Sequence, residues 1–142
     1  MALTREEREQ FLAEPHIAAL AVAAGDGDRA PLSVPIWYQY TPGGDLRILT
    51  GRTSRKAELI GAAGRFTILV DRVEPTIRYV SVEGPVVETR PATRGDLEEV
   101  SARYLAADKV AGYVDFASEN HGEQVVTRMR PQHWVSSDLG QV

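Results

Sequence analysis

Apolar residues along this chain fall into short runs of two periods, and the pattern predicts strands punctuated by a few helices. Thr4 with Glu7 three residues on is a capping-box signature. It opens a helix that carries Phe11 and Leu12 and stops near Pro15. Residues 17–23 form an apolar run short enough for a buried strand, and Gly25, Asp26, Gly27 and Asp28 after it make a turn. Residues 32–40, rich in β-branched and aromatic side chains, predict a second strand, with Pro35 requiring an edge or a bulge. Pro42, Gly43 and Gly44 close a hairpin to a third strand at 46–50.

Residues 53–63 predict a short helix capped by Thr53 or Ser54 and ended by Gly64. Strands follow at 66–70 and 78–87, the second bent at Gly84 and Pro85. Thr93, supported by Asp96, starts a helix through Leu97, Val100 and Tyr104. Residues 107–118 carry a weaker helical pattern interrupted by Gly112. Residues 124–130 alternate as a strand, and 132–136 predict a last one beyond Pro131. Six or seven short strands with hairpin punctuation predict a mainly β (α+β) domain, an antiparallel barrel with helices at its ends. Without a repeat or linker, residues 1–142 form a single domain.

Composition narrows the chemistry. At 43% hydrophobic and 25% charged, the chain has an ordinary globular balance. The absence of cysteine removes disulfides, thiolate metal sites and cysteine nucleophiles together. A net charge of -4 argues against broad nucleic-acid binding, which needs clustered positive charge. The N-terminus is too acidic for a signal peptide, and no run reaches the ~20 apolar residues that span a bilayer. The expectation is a cytoplasmic protein without membrane or nucleic-acid partners. His16, His121 and His133 are scattered without ligand spacing, so no metal site is expected.

The informative stretch joins the third strand to a helix: Thr50, then Thr53, Ser54, Arg55, Lys56 and Ala57. Free N–H groups at a helix start favour an anion, whereas adjacent cations there oppose the helix dipole by a few tenths of a kcal/mol. Arg55 and Lys56 therefore either solvate a helix start or hold an anion, with Thr50 and Ser54 supplying hydroxyls.

Strand, Thr-x-x-x-Ser-Arg-Lys-Ala, helix and apolar strand resemble the cofactor phosphate loop of the pyridoxamine 5'-phosphate oxidase-like split β-barrels. The strand Val34-Pro35-Ile36-Trp37 and the later Arg78-Tyr79-Val80-Ser81-Val82-Glu83-Gly84 extend the resemblance over most of the chain. It implies a six- to seven-stranded antiparallel split β-barrel that closes as a homodimer, with FMN or the deazaflavin F420 in a groove between subunits. Thr50, Ser54, Arg55 and Lys56 would hold the phosphate, and the backbone of Val34, Pro35, Ile36 and Trp37 would run along the ring. Arg78 would meet an anionic tail such as the oligoglutamate of F420. The basic Arg-x-Val-Leu-Leu-Lys motif of the pyridoxamine phosphate oxidases is missing here, as is a counterpart of their C-terminal Trp and Arg. Both departures argue against pyridoxamine 5'-phosphate as substrate and bring the chain closer to the F420-type branch.

The implied activity is hydride transfer between F420 or FMN and a small conjugated substrate, with Tyr38 or Tyr79 as candidate proton donors. The alternative is a non-catalytic flavin or haem carrier of the same fold, in which His16, His121 or His133 would be the axial ligand. Trp37, Tyr38, Tyr40 and Trp134 are read as an aromatic surface that a partner subunit covers. Arg65 is a further groove candidate, and Glu83 with Glu88 a weak carboxylate pair.

Overall fold

The computed structural model describes residues 1–141. Helix α1 (Arg5–Ala13) leads into β1 (Ala18–Val22), β2 (Leu32–Ile36), β3 (Tyr38–Tyr40) and β4 (Leu46–Gly51). Helix α2 (Arg55–Ala63), β5 (Arg65–Arg72) and the long β6 (Ile77–Pro91) follow. A helical hairpin, α3 (Arg94–Tyr104) and α4 (Ala107–Asn120), precedes β7 (Gln124–Met129) and β8 (His133–Gly140). The strands form one antiparallel sheet in the order β2-β1-β5-β6-β7-β4-β3, with β8 paired to β6 off that path. This is the expected mainly β half-barrel with peripheral helices.

The structure has eight strands among the described residues because residues 32–40, expected as one strand, divide at Trp37. β2 pairs with β1 and β3 with β4, so the chain changes sheet partner at that residue. The joint is held by Tyr104 at the end of α3. Its hydroxyl lies 2.9 Å from the His16 carbonyl oxygen and 3.2 Å from the Tyr38 carbonyl oxygen, and it accepts the Tyr38 amide at 3.2 Å. Pro35 sits in edge strand β2, where its missing N–H costs no ladder bond.

The weakly patterned stretch 107–118 proves to be a full helix, α4, despite Gly112. Val114 and Ala117 bury one of its faces, and that packing outweighs the glycine's intrinsic cost of roughly 1 kcal/mol. Ser54, rather than Thr53, caps α2: its hydroxyl accepts from the Ala57 amide, and Gly64 closes the helix in the left-handed region. At α3, Thr93 and Asp96 complete a capping box, and Asp96 also takes two hydrogen bonds from Arg90. Those partners hold its carboxyl well below the usual carboxylate range, so it acts as a structural acid.

The core gathers inward-facing positions of β1, β4, β5 and β6 with Phe11 and Leu12 of α1. Tyr38 and Tyr40 belong to this core, correcting the expectation of an exposed aromatic surface. The Tyr38 hydroxyl donates to the Leu12 carbonyl at 2.6 Å, and burial pushes its ionisation far above the ordinary range. It anchors α1 and lies outside the cavity described below. Trp134 is partly buried against the core, edge-on to Tyr40 and beneath the Arg8 guanidinium.

β6 is shared by both halves of the sheet. Its first half pairs with β5 and β8, its second with β7, and a bulge lies between Val86 and Glu88. At the crossing the β7–β8 connection passes directly over the strand. Arg130 N–H donates to the Pro85 carbonyl at 3.0 Å and Gln132 N–H to the Glu83 carbonyl at 2.9 Å. A β-carbon on Gly84 would stand 1.8 Å from the Arg130 carbonyl oxygen, so only glycine fits there.

Arg78 lies near the start of β6, in a network with β8. Its Nε donates to Asp138 at 2.9 Å, Thr76 donates to the same carboxylate at 2.7 Å, and Arg72 donates to Thr76 at 3.0 Å. The Thr76 hydroxyl, the Gly140 amide and the Arg78 guanidinium together hold the Asp138 carboxyl at about 2, below its ordinary 3.8.

Two stability outcomes follow. Gly84→Ala must displace backbone, and urea unfolding should show a loss of at least about 1–3 kcal/mol, the usual cost of overpacking; an unchanged midpoint would contradict the crossing. The depressed Asp138 carboxyl contributes stability that is present above 3.8 and is lost as pH falls toward about 2. Acid titration of Asp138→Asn should therefore show a shallower loss of stability over that window than the parent, and superimposable curves would refute the linkage.

Candidate functional site

Three ends of the sheet converge under the α3–α4 hairpin and enclose a cavity of about 580 Å³. Its size suits a cofactor-sized ligand. One wall is the end of β2 and the joint after it, with Pro35, Ile36 and Trp37. A second is the end of β4 and the first turn of α2, with Thr50, Gly51, Ser54 and Lys56. The hairpin supplies the roof, with Leu97, Val100 and Ser101 from α3 and Tyr113 and Ala117 from α4. His121, the C-cap of α4, and Gln124, the first residue of β7, also line the cavity.

The lining is chemically divided. Trp37 stacks on Tyr104 at 4.7 Å between ring centroids and leans on Tyr113 at 5.4 Å, so the β2 end is aromatic and apolar. The α2 end is cationic and hydroxylated. Lys56 makes no ion pair among the described residues, and Ser54 uses its hydroxyl to cap α2. A β-carbon on Gly51 would stand 3.7 Å from Ser54 Cβ and 4.0 Å from the His121 carbonyl oxygen, so the three meet at this end. Arg52 N–H donates to the Glu123 carbonyl at 2.9 Å, and the two side chains pair at 2.8 Å. Those contacts tie the loop before α2 to the start of β7.

Two residues of the lining carry buried hydroxyls without a hydrogen-bond partner, Thr50 Oγ1 in the β4 wall and Ser101 Oγ in the roof. Thr50 is 2% exposed and Ser101 fully buried, and both line the cavity from facing elements, β4 and α3. An unsatisfied buried hydroxyl costs roughly 1–3 kcal/mol. Both sit against the cavity with their oxygens covered, so a small side-chain rotation is needed for either to reach a ligand.

Of the residues expected at the site, the cavity brings together Pro35, Ile36, Trp37, Thr50, Ser54 and Lys56. Arg55 points elsewhere: it pairs with Glu58 at 2.9 Å and lines a separate cleft with Arg29. Val34 packs against the core, because its neighbour in β1 is the inward-facing Leu20. Arg78 is engaged by Asp138 and lies outside the cavity lining. Tyr79, Arg65 and the Glu83/Glu88 pair are outside it as well; Arg65 donates to Gln132, and Glu88 pairs with Arg128. Tyr113 and Ala117 are site residues that the sequence reading does not name, and His121 enters it only as a haem-ligand candidate. Their i, i+4, i+8 spacing marks one helical face, a signal that becomes visible once α4 is accepted as a helix.

Among solved structures, an F420 reductase shares the fold at TM-score 0.68 and 23% identity, covering 89% of this chain and 94% of its own. A conserved hypothetical protein from Mycobacterium tuberculosis aligns at TM-score 0.72 and 23% identity, over 97% of this chain and 86% of its own. An FAD-binding protein from Mesorhizobium loti aligns at TM-score 0.61 and 19% identity, over 97% of this chain and 95% of its own. No curated protein matches the sequence. The family model described as pyridoxamine 5'-phosphate oxidase matches residues 4–137, nearly the whole chain, and the protein belongs to that family.

Proposed function

We propose that this protein is an oxidoreductase that binds a phosphate-bearing flavin or deazaflavin, F420 or FMN, in the cavity beneath α3 and α4. The observation that carries this reading is the division of the lining: an unpaired lysine, a helix start and hydroxyl-bearing side chains at the α2 end, and an aromatic wall at the β2 end. That division fits an anionic group at one end and a planar ring at the other. The similarity to an F420 reductase and an FAD-binding protein supports the same class of ligand.

Lys56 and the free amides at the start of α2 would hold the phosphate, with Ser54 fixing that helix start. Thr50 and Ser101 would hydrogen-bond the hydroxylated chain. Trp37, itself fixed by Tyr104 and Tyr113, would set the plane of the ring, while the Pro35 and Ile36 backbone lines its edge. When bound and reduced, such a group supplies a hydride to a small conjugated substrate. Leu97, Val100, Tyr113 and Ala117 in the roof would exclude water and favour an apolar substrate over a charged one.

The working unit in this proposal is a homodimer. One row of the outer sheet face reads Pro35, Ala19, Leu69, Ser81 and Val135 across five strands. Leu69 and Val135 are exposed there. Ile17 and Pro35 line both the cavity and the depression beside it on this face. A second copy seated on the row would cover its apolar side chains and close the cavity mouth.

Fluorescence titration with FMN and, separately, F420 tests the cofactor assignment. Lys56→Ala should weaken the bound cofactor by about 1–3 kcal/mol, as loss of a charged hydrogen bond does, and Arg55→Ala by less. Thr50→Val should do two things at once: weaken binding and stabilise the empty protein, because it deletes an unsatisfied buried hydroxyl. Failure of both cofactors to bind would sink the reading. In sedimentation velocity the parent should be a dimer and Leu69→Glu a monomer with weakened cofactor binding; a monomeric parent would refute the shared groove.

A further inference from the structure

At the other end of β4 from the cavity lies a second cleft, of about 300 Å³. The cavity meets β4 at Leu49, Thr50 and Gly51, whereas this cleft begins at Asp45, just before Leu46. The nearest of these residues are separated by about 13 Å of strand. α1, the β3–β4 turn, the β7–β8 connection and Trp134 line it.

The charges in this cleft do not cancel. Its two acids are already engaged. Glu9 pairs with Arg5 at 3.4 Å and accepts the Gly43 amide at 2.9 Å; Asp45 accepts from Arg128 at 2.7 Å. Arg8 and Arg130 have no carboxylate partner and no side-chain hydrogen bond among the described residues. The Arg8 guanidinium lies 4.6 Å from the Trp134 ring centroid, which fixes its plane, while its Nε is buried without a partner. A buried donor left unpaired is costly, and two unmatched guanidiniums in one cleft repel each other.

We propose that Arg8 and Arg130 form an anion site for a small oxyanion, a carboxylate or a phosphate monoester, beside Trp134. Guanidinium forks match the paired oxygens of either group, and the fixed plane of Arg8 means little ordering is needed on binding. The site is independent of the flavin reading, because it shares no residue with the main cavity.

The test uses Trp37→Phe protein, in which Trp134 is the remaining tryptophan. Sodium phosphate and disodium succinate are titrated separately at ionic strength held constant with sodium chloride, with Trp134 emission as the readout. Saturable quenching by either salt is expected, and both arms together tell phosphate from carboxylate. Adding Arg8→Gln or Arg130→Gln should weaken it about tenfold or more, the loss of a charged hydrogen bond. Adding Lys56→Ala should leave it unchanged, which separates this site from the main cavity. Arg130 is exposed and bonds only through its backbone, so Arg130→Gln keeps the fold and decides the matter if Arg8→Gln does not. Absence of saturation, a response to chloride alone, or equal titration of the parent and Arg130→Gln would overturn the proposal.

Discussion

Both halves of the sheet hang on a single strand, and that strand can change partners only because Gly84 has no side chain. There the β7–β8 connection presses its backbone onto β6, close enough that a methyl group would overlap the Arg130 carbonyl. The crossing lets β8 run along the first half of β6 while β7 takes the second half. Beyond it, the far end of β6 delivers α3 and α4 to the place where β2 and β4 end. The cavity is a consequence of this routing: three strand ends meet there, and a helical hairpin roofs them.

The site departs from what stability alone would select. Thr50 and Ser101 leave hydroxyls buried without partners, and Lys56 leaves a charge unmatched at a helix start that repels it. Other charges of the chain are paired closely: Asp96 with Arg90, Asp138 with Arg78, Asp45 with Arg128. Of the four orphaned buried polar atoms among the described residues, two belong to residues lining this cavity and one to Arg8 in the cleft beside Trp134, and such unmet demand is what separates binding sites from structural polar networks.

Much of this was legible in the sequence. The capping boxes at Thr4 and Thr93, the Gly64 stop and the edge position of Pro35 follow from local backbone chemistry and appear where the residues place them. The Ser54 to Lys56 segment could be located, but not the direction of each side chain; Lys56 turns to the cavity and Arg55 to Glu58, a difference set by one step around a helix. The split of residues 32–40 at Trp37 was invisible because it depends on Tyr104, far away in sequence. Burial of Tyr38 and Tyr40 likewise depends on α1 covering them, which no count of aromatic residues reveals. Arg78 looked available until Asp138, near the other end of the chain, proved to hold it.

The roof of the cavity has a property its walls lack. The walls lie on the paired ends of β2 and β4 and the joints next to them, so a change there disturbs the scaffold. The roof is one contiguous stretch, from Arg94 to Asn120, that leaves β6 and returns to β7. Its hold on the rest comes mainly through a few side chains, such as Arg103 on the Ala13 and Glu14 carbonyls and Tyr104 on the β2–β3 joint. Such an insert can diverge as a unit. Lineages of this fold could exchange or reshape the hairpin, altering what lies under it, while the lysine end of the cavity and the barrel beneath stay as they are.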